Sequence, residues 1–284
     1  MLNLLTWNVN GIRAAVKKDL WSKLDKLTPD LLCVQETKAD ASVMSTPAVR
    51  TDEWGVAFHS CSVKKGYSGV ATYYRETASS VFDSALNASL TTSFTTQILQ
   101  TGLGIEEFDV EGRLIVTKHT LHEPNTPIQD FVILNGYYPQ GGRGAHRIEY
   151  KIKFYEAVYA YAQSLVANGE HVLICGDLNT TVQDIDLARP AQNRKTTGCL
   201  PEERAALNLF LEGGFTDTFR YFHPTQTGAY TYWDQITKAR ERNVGWRIDY
   251  WLVADSLLPY VTDAFILTDV YGSDHAPAGI YLTI

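Results

Sequence analysis

Four apolar runs in this chain each end in side chains that can do chemistry. Trp7-Asn8-Val9-Asn10-Gly11 ends the first run, and Val34-Gln35-Glu36-Thr37 ends Leu31-Leu32-Cys33. Gly176-Asp177-Leu178-Asn179 follows Val172-Leu173-Ile174-Cys175, and Gly272-Ser273-Asp274-His275 stands just before the last apolar run. Carboxylates and one His gathered on one rim are what a hard divalent cation and a water nucleophile require. No Ser or Cys nucleophile with a general base is visible in the sequence, and no His/Cys zinc spacing. The Asp-x-Asn of residues 177–179 could be an ordinary turn. Alternation at a strand end could equally point both side chains to one side.

These residues need strands to deliver them. Leu2 to Val9 and Asp30 to Glu36 read as strands, with a helix over Ala14 to Leu27 between them, ended by Thr28-Pro29. Gly55 to Cys61 and Gly69 to Arg75 read as antiparallel neighbours across a turn-prone link. Asp83 to Gly104, rich in Ser, Thr, Asn and Gly, reads as a long loop or edge excursion. Strands follow at Arg113 to Thr120 and Phe131 to Tyr138, separated by the breaker Glu123 to Pro127. The strongest helix is Arg147 to Asn168, where Ile148, Ile152, Tyr155, Tyr159, Ala162 and Val166 recur at helical spacing before Gly169. Pro201-Glu202-Glu203 opens another helix, since Pro suits the first helical position and acids favour the positive end of the dipole. Trp246 to Val253, Ala264 to Asp269 and Gly279 to Ile284 complete the strands. Many mixed strands with few helices are best packed as two sheets with helices outside, a four-layer α/β sandwich in one domain spanning 1–284.

Composition sets the outer bounds. The chain has 284 residues, 45% hydrophobic and 20% charged, with a formal net charge of −7. That bulk charge disfavours a polyanion partner, but local patches decide binding. Basic residues cluster at Arg13, Lys17 and Lys18, at Lys64 and Lys65, at Arg143 to Arg147, at Arg194-Lys195 and at Lys238 to Arg247. Several of these lie in loops after the reactive strands, a pattern that fits a DNA-tracking face on an acidic body. The four cysteines form no Cys-x-x-Cys pair, which favours a reducing interior over a disulfide framework. No apolar run reaches the ~18 residues of a spanning helix, and the N-terminus carries no leader pattern. A monomeric protein inside the cell, cytoplasmic or nucleoid-associated if prokaryotic, is the expectation, with no membrane partner.

The chain resembles the exonuclease III/AP endonuclease family of the endonuclease–exonuclease–phosphatase superfamily. Eight segments carry the likeness in family order: Trp7 to Arg13, Gln35 to Lys38, Gly66 to Val70, Glu111 to Arg113, Tyr137 to Pro139, Gly176 to Asn179, Ala239 to Tyr250 and Gly272 to His275. The resemblance implies Mg²⁺, with Mn²⁺ as substitute, on Glu36, with Asn8 and Asp274 in its shell. It further implies Asp177 as the base for the attacking water, and Asn179, Tyr137 and His275 on the phosphate, with Asp249 paired to His275. Arg13, Lys38, Tyr67, Arg143, Asn193, Lys195, Tyr232, Ile236, Trp246 and Ile248 are the implied DNA contacts. Tyr232, Trp246 and Ile248 would line an abasic-sugar pocket, while Arg143 and Ile236 would enter the duplex. The remaining six histidines match no such segment and read as surface or structural, with His146 near DNA.

The resemblance implies an Mg²⁺-dependent AP endonuclease of base-excision repair acting on double-stranded DNA with abasic sites or blocked 3′ ends. A predominantly 3′→5′ exonuclease or 3′-phosphodiesterase on the same site is the alternative. A DNA-binding module without catalysis is disfavoured, because every acidic candidate is present.

Overall fold

The computed structural model describes residues 1–75, 94–122 and 126–283. Strands β1 (Leu2–Asn8), β2 (Leu31–Gln35), β3 (Trp54–His59) and β4 (Val70–Arg75) come from the first quarter of the chain. Helices α1 (Ile12–Lys17), α2 (Leu20–Leu27) and α3 (Ala41–Met44) lie among them. Next come β5 (Phe94–Thr101), α4 (Glu106–Asp109), β6 (Leu114–Leu121), β7 (Asp130–Tyr137), α5 (Ala145–Ala167) and β8 (Val172–Asp177). Then follow α6 (Pro190–Asn193), α7 (Pro201–Glu212), β9 (Phe215–Asp217) and α8 (Thr218–Phe222). Strands β10 (Asp249–Ala254), β11 (Val261–Ile266) and β12 (Ala278–Leu282) close the chain.

They form two six-stranded sheets, ordered β11-β12-β1-β2-β4-β3 and β5-β6-β7-β8-β10-β9. Each has one parallel pair at its centre, β1 with β2 and β7 with β8, and is otherwise antiparallel. Period-2 alternation sorts the apolar side chains into layers. Leu4, Leu31, Cys33, Phe131, Ile133, Leu173, Cys175 and Trp251 fill the space between the sheets. Leu5, Trp7, Leu32 and Val34 point the other way, onto α1 and α2. Val132, Leu134, Val172 and Ile174 face Phe154, Tyr155, Leu207 and Phe210 of α5 and α7. The result is the four-layer α/β sandwich expected from the sequence.

Four boundaries differ from expectation, one of them β11, which runs Val261–Ile266 rather than Ala264 to Asp269. Ala14 to Leu27 is not one helix, because Asp19 takes a left-handed φ of 62° between α1 and α2. Buried Ala15 and Leu20 are five residues apart, which in one helix would put them on different faces. The break returns both to the sheet. Part of the expected loop at 83–104 is β5, an edge strand whose burial pattern leaves most side chains in solvent. Its Thr/Gln composition reflects that exposure. Residues 76–93, and 123–125 of the breaker, lie outside the described residues. Finally, β10 begins at Asp249, and Trp246 makes only isolated bridges to Leu187 and Tyr232.

Candidate active site

Strand register lines up the reactive ends. In one sheet Tyr137 stands opposite Asp177, and Asp177 opposite Asp249. In the other, Asn8 stands opposite Gln35, which places Glu36 one residue past the pair. The chain then turns sharply. Asn10, Glu36, Lys38, Ser68 and Asn179 all have φ between 49° and 53°. All five border one cavity of 480 Å³. Left-handed backbone at non-glycine residues is strained and persists where the surroundings over-determine it. Here it swings side chains off the strand ends into the cavity.

Asn8 is fully buried beneath the floor and joins the two sheets. Its amide nitrogen donates to Glu36 Oε1 and to Asp177 Oδ2, each at 2.9 Å, while its oxygen accepts from the Asn10 backbone at 3.0 Å. Asn8 therefore orients both carboxylates from beneath. Glu36 also pairs with Lys38 at 2.8 Å. Burial pushes its carboxyl up, but Lys38 and the Asn8 amide outweigh that and hold it below the usual range. Asn10 donates to Asp274 Oδ1 at 3.0 Å and accepts from Lys38.

Asp177 and His275 form the other half. His275 Nδ1 lies 2.8 Å from Asp249 Oδ2, and Nε2 lies 3.8 Å from Asp177 Oδ2. Burial, then the facing Asp249 charge, pushes Asp177 up to about 7. For His275 burial disfavours the cation, but Asp249, Asp177 and Asp274 outweigh it and raise the imidazolium to about 10. A carboxylate near neutrality beside a persistent cation is suited to accept a proton next to an anion. The Asn179 N–H donates to Asp177 Oδ1 at 2.9 Å, and its side chain donates to Tyr138 O at 2.9 Å.

Around the rim, the cavity is bordered by Lys38, Tyr67, Tyr137, Arg143, Tyr232, Ile248 and Asp274, with Asp177, Asn179 and His275 at its floor. Asp249 lies behind His275, buried at 2% exposure. Arg13 falls in a neighbouring groove with Lys17 and Lys38. Trp246 does not border the cavity; its backbone pairs with Tyr232, and its ring lies against Gly198. Ile236 projects at 93% exposure, as an apolar wedge would. Asn193 accepts a hydrogen bond from Thr196 in the α6 region, and Lys195 beside it is exposed; neither borders the cavity.

Sequence reading left Arg113 without a role. It is 2% exposed, donates to Glu111, to Tyr137 O at 2.9 Å and to the Tyr67 hydroxyl at 2.8 Å, and stacks on the Tyr137 ring. A buried guanidinium thus fixes both rim tyrosines. Its presence in the Glu111-Gly112-Arg113 segment was the available signal. Gln140 and Lys64 also border the cavity. Arg247 is buried with Asp186 and Asp217, holding the segment that carries Trp246 and Ile248.

The open side of this cavity fits a hard dication, because Glu36, Asp274 and Asp177 present carboxylate oxygens there. Donor atoms of Asp177, Asp249 and His275 also lie within 4.8 Å of one another. However, His275 Nδ1 is already taken by Asp249. That trio is better described as a hydrogen-bonded His275–Asp249 pair with Asp177 facing its free Nε2 at 3.8 Å.

Known proteins share this fold. A family model described as the endonuclease/exonuclease/phosphatase family matches residues 5–275. A Bacillus subtilis protein named exodeoxyribonuclease is 37% identical over the full length of both chains. A Danio rerio protein named DNA repair nuclease APEX1 is 36% identical, covering 100% of this chain and 83% of its own. The crystal structure of the Xenopus laevis APE2 catalytic domain superposes with a TM-score of 0.83 at 30% identity, covering 99% of this chain and 92% of that one.

Proposed function

Since the chain belongs to the endonuclease/exonuclease/phosphatase family, we propose that it is a metal-dependent DNA phosphodiesterase of base-excision repair. It hydrolyses the phosphodiester 5′ to an abasic site, leaving a 3′-hydroxyl and a 5′-deoxyribose phosphate. The observation that carries this reading is the buried Asp177 between Asn8 and the His275–Asp249 pair, at the floor of a cavity rimmed by Arg143, Lys64 and Tyr67.

The residues divide the work. Asp177 accepts the proton of the attacking water, which is held in line with the phosphorus, and the P–O3′ bond opposite breaks, its oxygen taking a proton from solvent to become the 3′-hydroxyl. His275, kept cationic by Asp249, donates from Nε2 to a phosphate oxygen. Asn179 and the Tyr137 hydroxyl donate to the same developing charge, preorganised so that no reorientation is needed during reaction. Mg²⁺, with Mn²⁺ as substitute, would be held by Glu36 with Asp274 nearby, and when bound it supplies neutralisation of phosphate charge. Tyr232 and Ile248 form the wall against which an extruded sugar without its base would rest, and extrusion is cheapest at a damaged site. Arg13, Asn193 and Lys195 track the flanking phosphates, and Arg143 and Ile236 enter the duplex.

The exodeoxyribonuclease name of the Bacillus subtilis relative favours a second reading, 3′→5′ trimming by the same centre. One experiment covers both: a duplex with a single tetrahydrofuran site and a recessed intact 3′ end, incubated with protein and Mg²⁺. Nicking 5′ to the tetrahydrofuran is expected to be faster than trimming; an uncut duplex would reject the assignment. Glu36→Ala should raise the Mg²⁺ concentration at half-maximal rate, and an unmoved midpoint would remove Glu36 as the ligand.

A further inference from the structure

Behind the end of β8, outside the cavity, lies a second ion pair. Lys151 of α5 and Glu203 in the first turn of α7 are both 0% exposed, with Nζ and Oε1 2.8 Å apart. Burying two charges is unfavourable unless hydrogen bonds satisfy them, so their other partners are informative. Lys151 Nζ donates to the backbone carbonyl of Asn179 at 2.8 Å. Glu203 accepts from the Thr197 hydroxyl at 2.6 Å, from the Gly198 N–H and from the Leu200 N–H at 3.3 Å. Thr197 Oγ1 in turn accepts from Gly141 N–H at 3.1 Å. Segments following β7, β8 and α6 therefore converge on one pair. They do so without spare room: a Cβ added to Gly198 would lie 3.0 Å from Asn179 O.

Asn179 requires such a hold. Its φ of 52° is a conformation L residues rarely adopt. Its N–H donates to Asp177 and one hydrogen of its side-chain amide to Tyr138 O, while the other has only a long 3.4 Å contact with Asp177 Oδ2 and is the one open to a phosphate. The carbonyl is the remaining backbone handle, and Lys151 takes it.

We propose that the Lys151–Glu203 pair is a positioning unit that locks the Asn179 backbone and so aims the Asn179 amide at the phosphate. Neither residue touches substrate. The inference rests on the phosphodiesterase reading of the site.

The test is a double-mutant cycle on the full chain. Lys151→Met with Glu203→Gln removes both charges at similar size. Lys151→Gln is the milder second variant; it keeps a donor for Glu203 but is too short to reach the Asn179 carbonyl as well. Each is made with Asn179 intact and in an Asn179→Ala background, and folding is verified by thermal unfolding. With Asn179 present, single-turnover cleavage of an abasic duplex should fall about 10- to 100-fold, as small misplacements in a preorganised site do. Duplex affinity should change by less than about threefold, since phosphate contacts carry it. In the Asn179→Ala background the same changes should cost less than about twofold, because the group they position is gone. Equal losses in both backgrounds, or no loss in either, would overturn the proposal. A wild-type protein that leaves the abasic duplex uncut would reject the phosphodiesterase reading instead. The pair is then judged by amide hydrogen exchange: protection at Asn179 and Thr181 should drop in the variants, and unchanged protection overturns it.

Discussion

Asp177 and His275 stand 3.8 Å apart in the same buried floor, and Asp249 acts on both. It opposes a second negative charge on Asp177 and stabilises the positive charge on His275. Asp177→Asn keeps the shape of the side chain but cannot take the water's proton. Single-turnover cleavage should fall by roughly 10²–10⁴-fold, while abasic-duplex affinity at fixed salt is retained or tightened. Equal loss of both would make Asp177 structural. The pH profile should rise as Asp177 loses its proton near 7 and fall as His275 loses its own near 10. A bound dication draws the first limb to lower pH, which leaves the descending limb as the cleaner probe. Asp249→Asn removes the anion that raises His275, so that limb should move down by roughly one pH unit or more. A limb that stays in place would show that the pair is not coupled.

At the scale of elements, β6 carries a buried histidine that chemistry does not use. His119 lies between the hydroxyls of Thr96 at 3.0 Å and Thr117 at 2.9 Å, and stacks on Phe131. Its reading as a structural residue is therefore consistent with where it sits. Burial pushes the ring's pKa down to about 3. Above the unfolded value of 6.5 both states hold it neutral, and folding is unaffected by its titration. As pH falls from 6.5 toward 3, the unfolded chain binds the proton and the folded one does not. Stability is lost across that window at up to about 1.4 kcal/mol per pH unit. His119→Asn should flatten the dependence of the urea midpoint on pH between those limits, compared with wild type. Parallel curves for the two proteins would mean that the ring is already solvated. The edge strand β5, paired with β6, was hard to read in advance because most of its side chains face solvent. Exposed Thr and Gln look alike in a loop and on the solvent face of an edge strand.

For the whole molecule, the alignment of the sheets matters most. Gln35 donates to Thr6 Oγ1 at 2.9 Å and across the inter-sheet space to Asn135 Oδ1 at 2.7 Å. Asn135 donates back to Ala71 O at 2.9 Å. This polar tie sits one residue before Glu36, fully buried, and sets one sheet against the other. Asn135→Ala removes the inter-sheet partner of Gln35 and the donor to Ala71 O, which should cost about 1–3 kcal/mol. Urea unfolding checks that figure, and the Mg²⁺ titration midpoint should rise in the same variant as Glu36 loosens. A stability loss with no change in metal response would confine the tie to packing.

Much of the protein was determined by local sequence. Apolar runs of strand length ending in Asn8, Glu36, Asp177 and Asp274-His275 specify both the strands and the chemistry at their tips, because alternation and side-chain type are properties of neighbouring residues. The helical spacing of α5 and the Pro-Glu-Glu start of α7 are local in the same sense. Tertiary structure decided what depends on residues far apart in the chain. Asp177 faces Asp249 because β8 and β10 pair in one register. Asn8 reaches both Glu36 and Asp177 because two sheets stack with their ends level. The left-handed turns at Glu36 and Asn179, the Lys151 clamp and the withdrawal of Trp246 from the cavity belong to the same class. Each is a strained or buried state that only the assembled surroundings can stabilise.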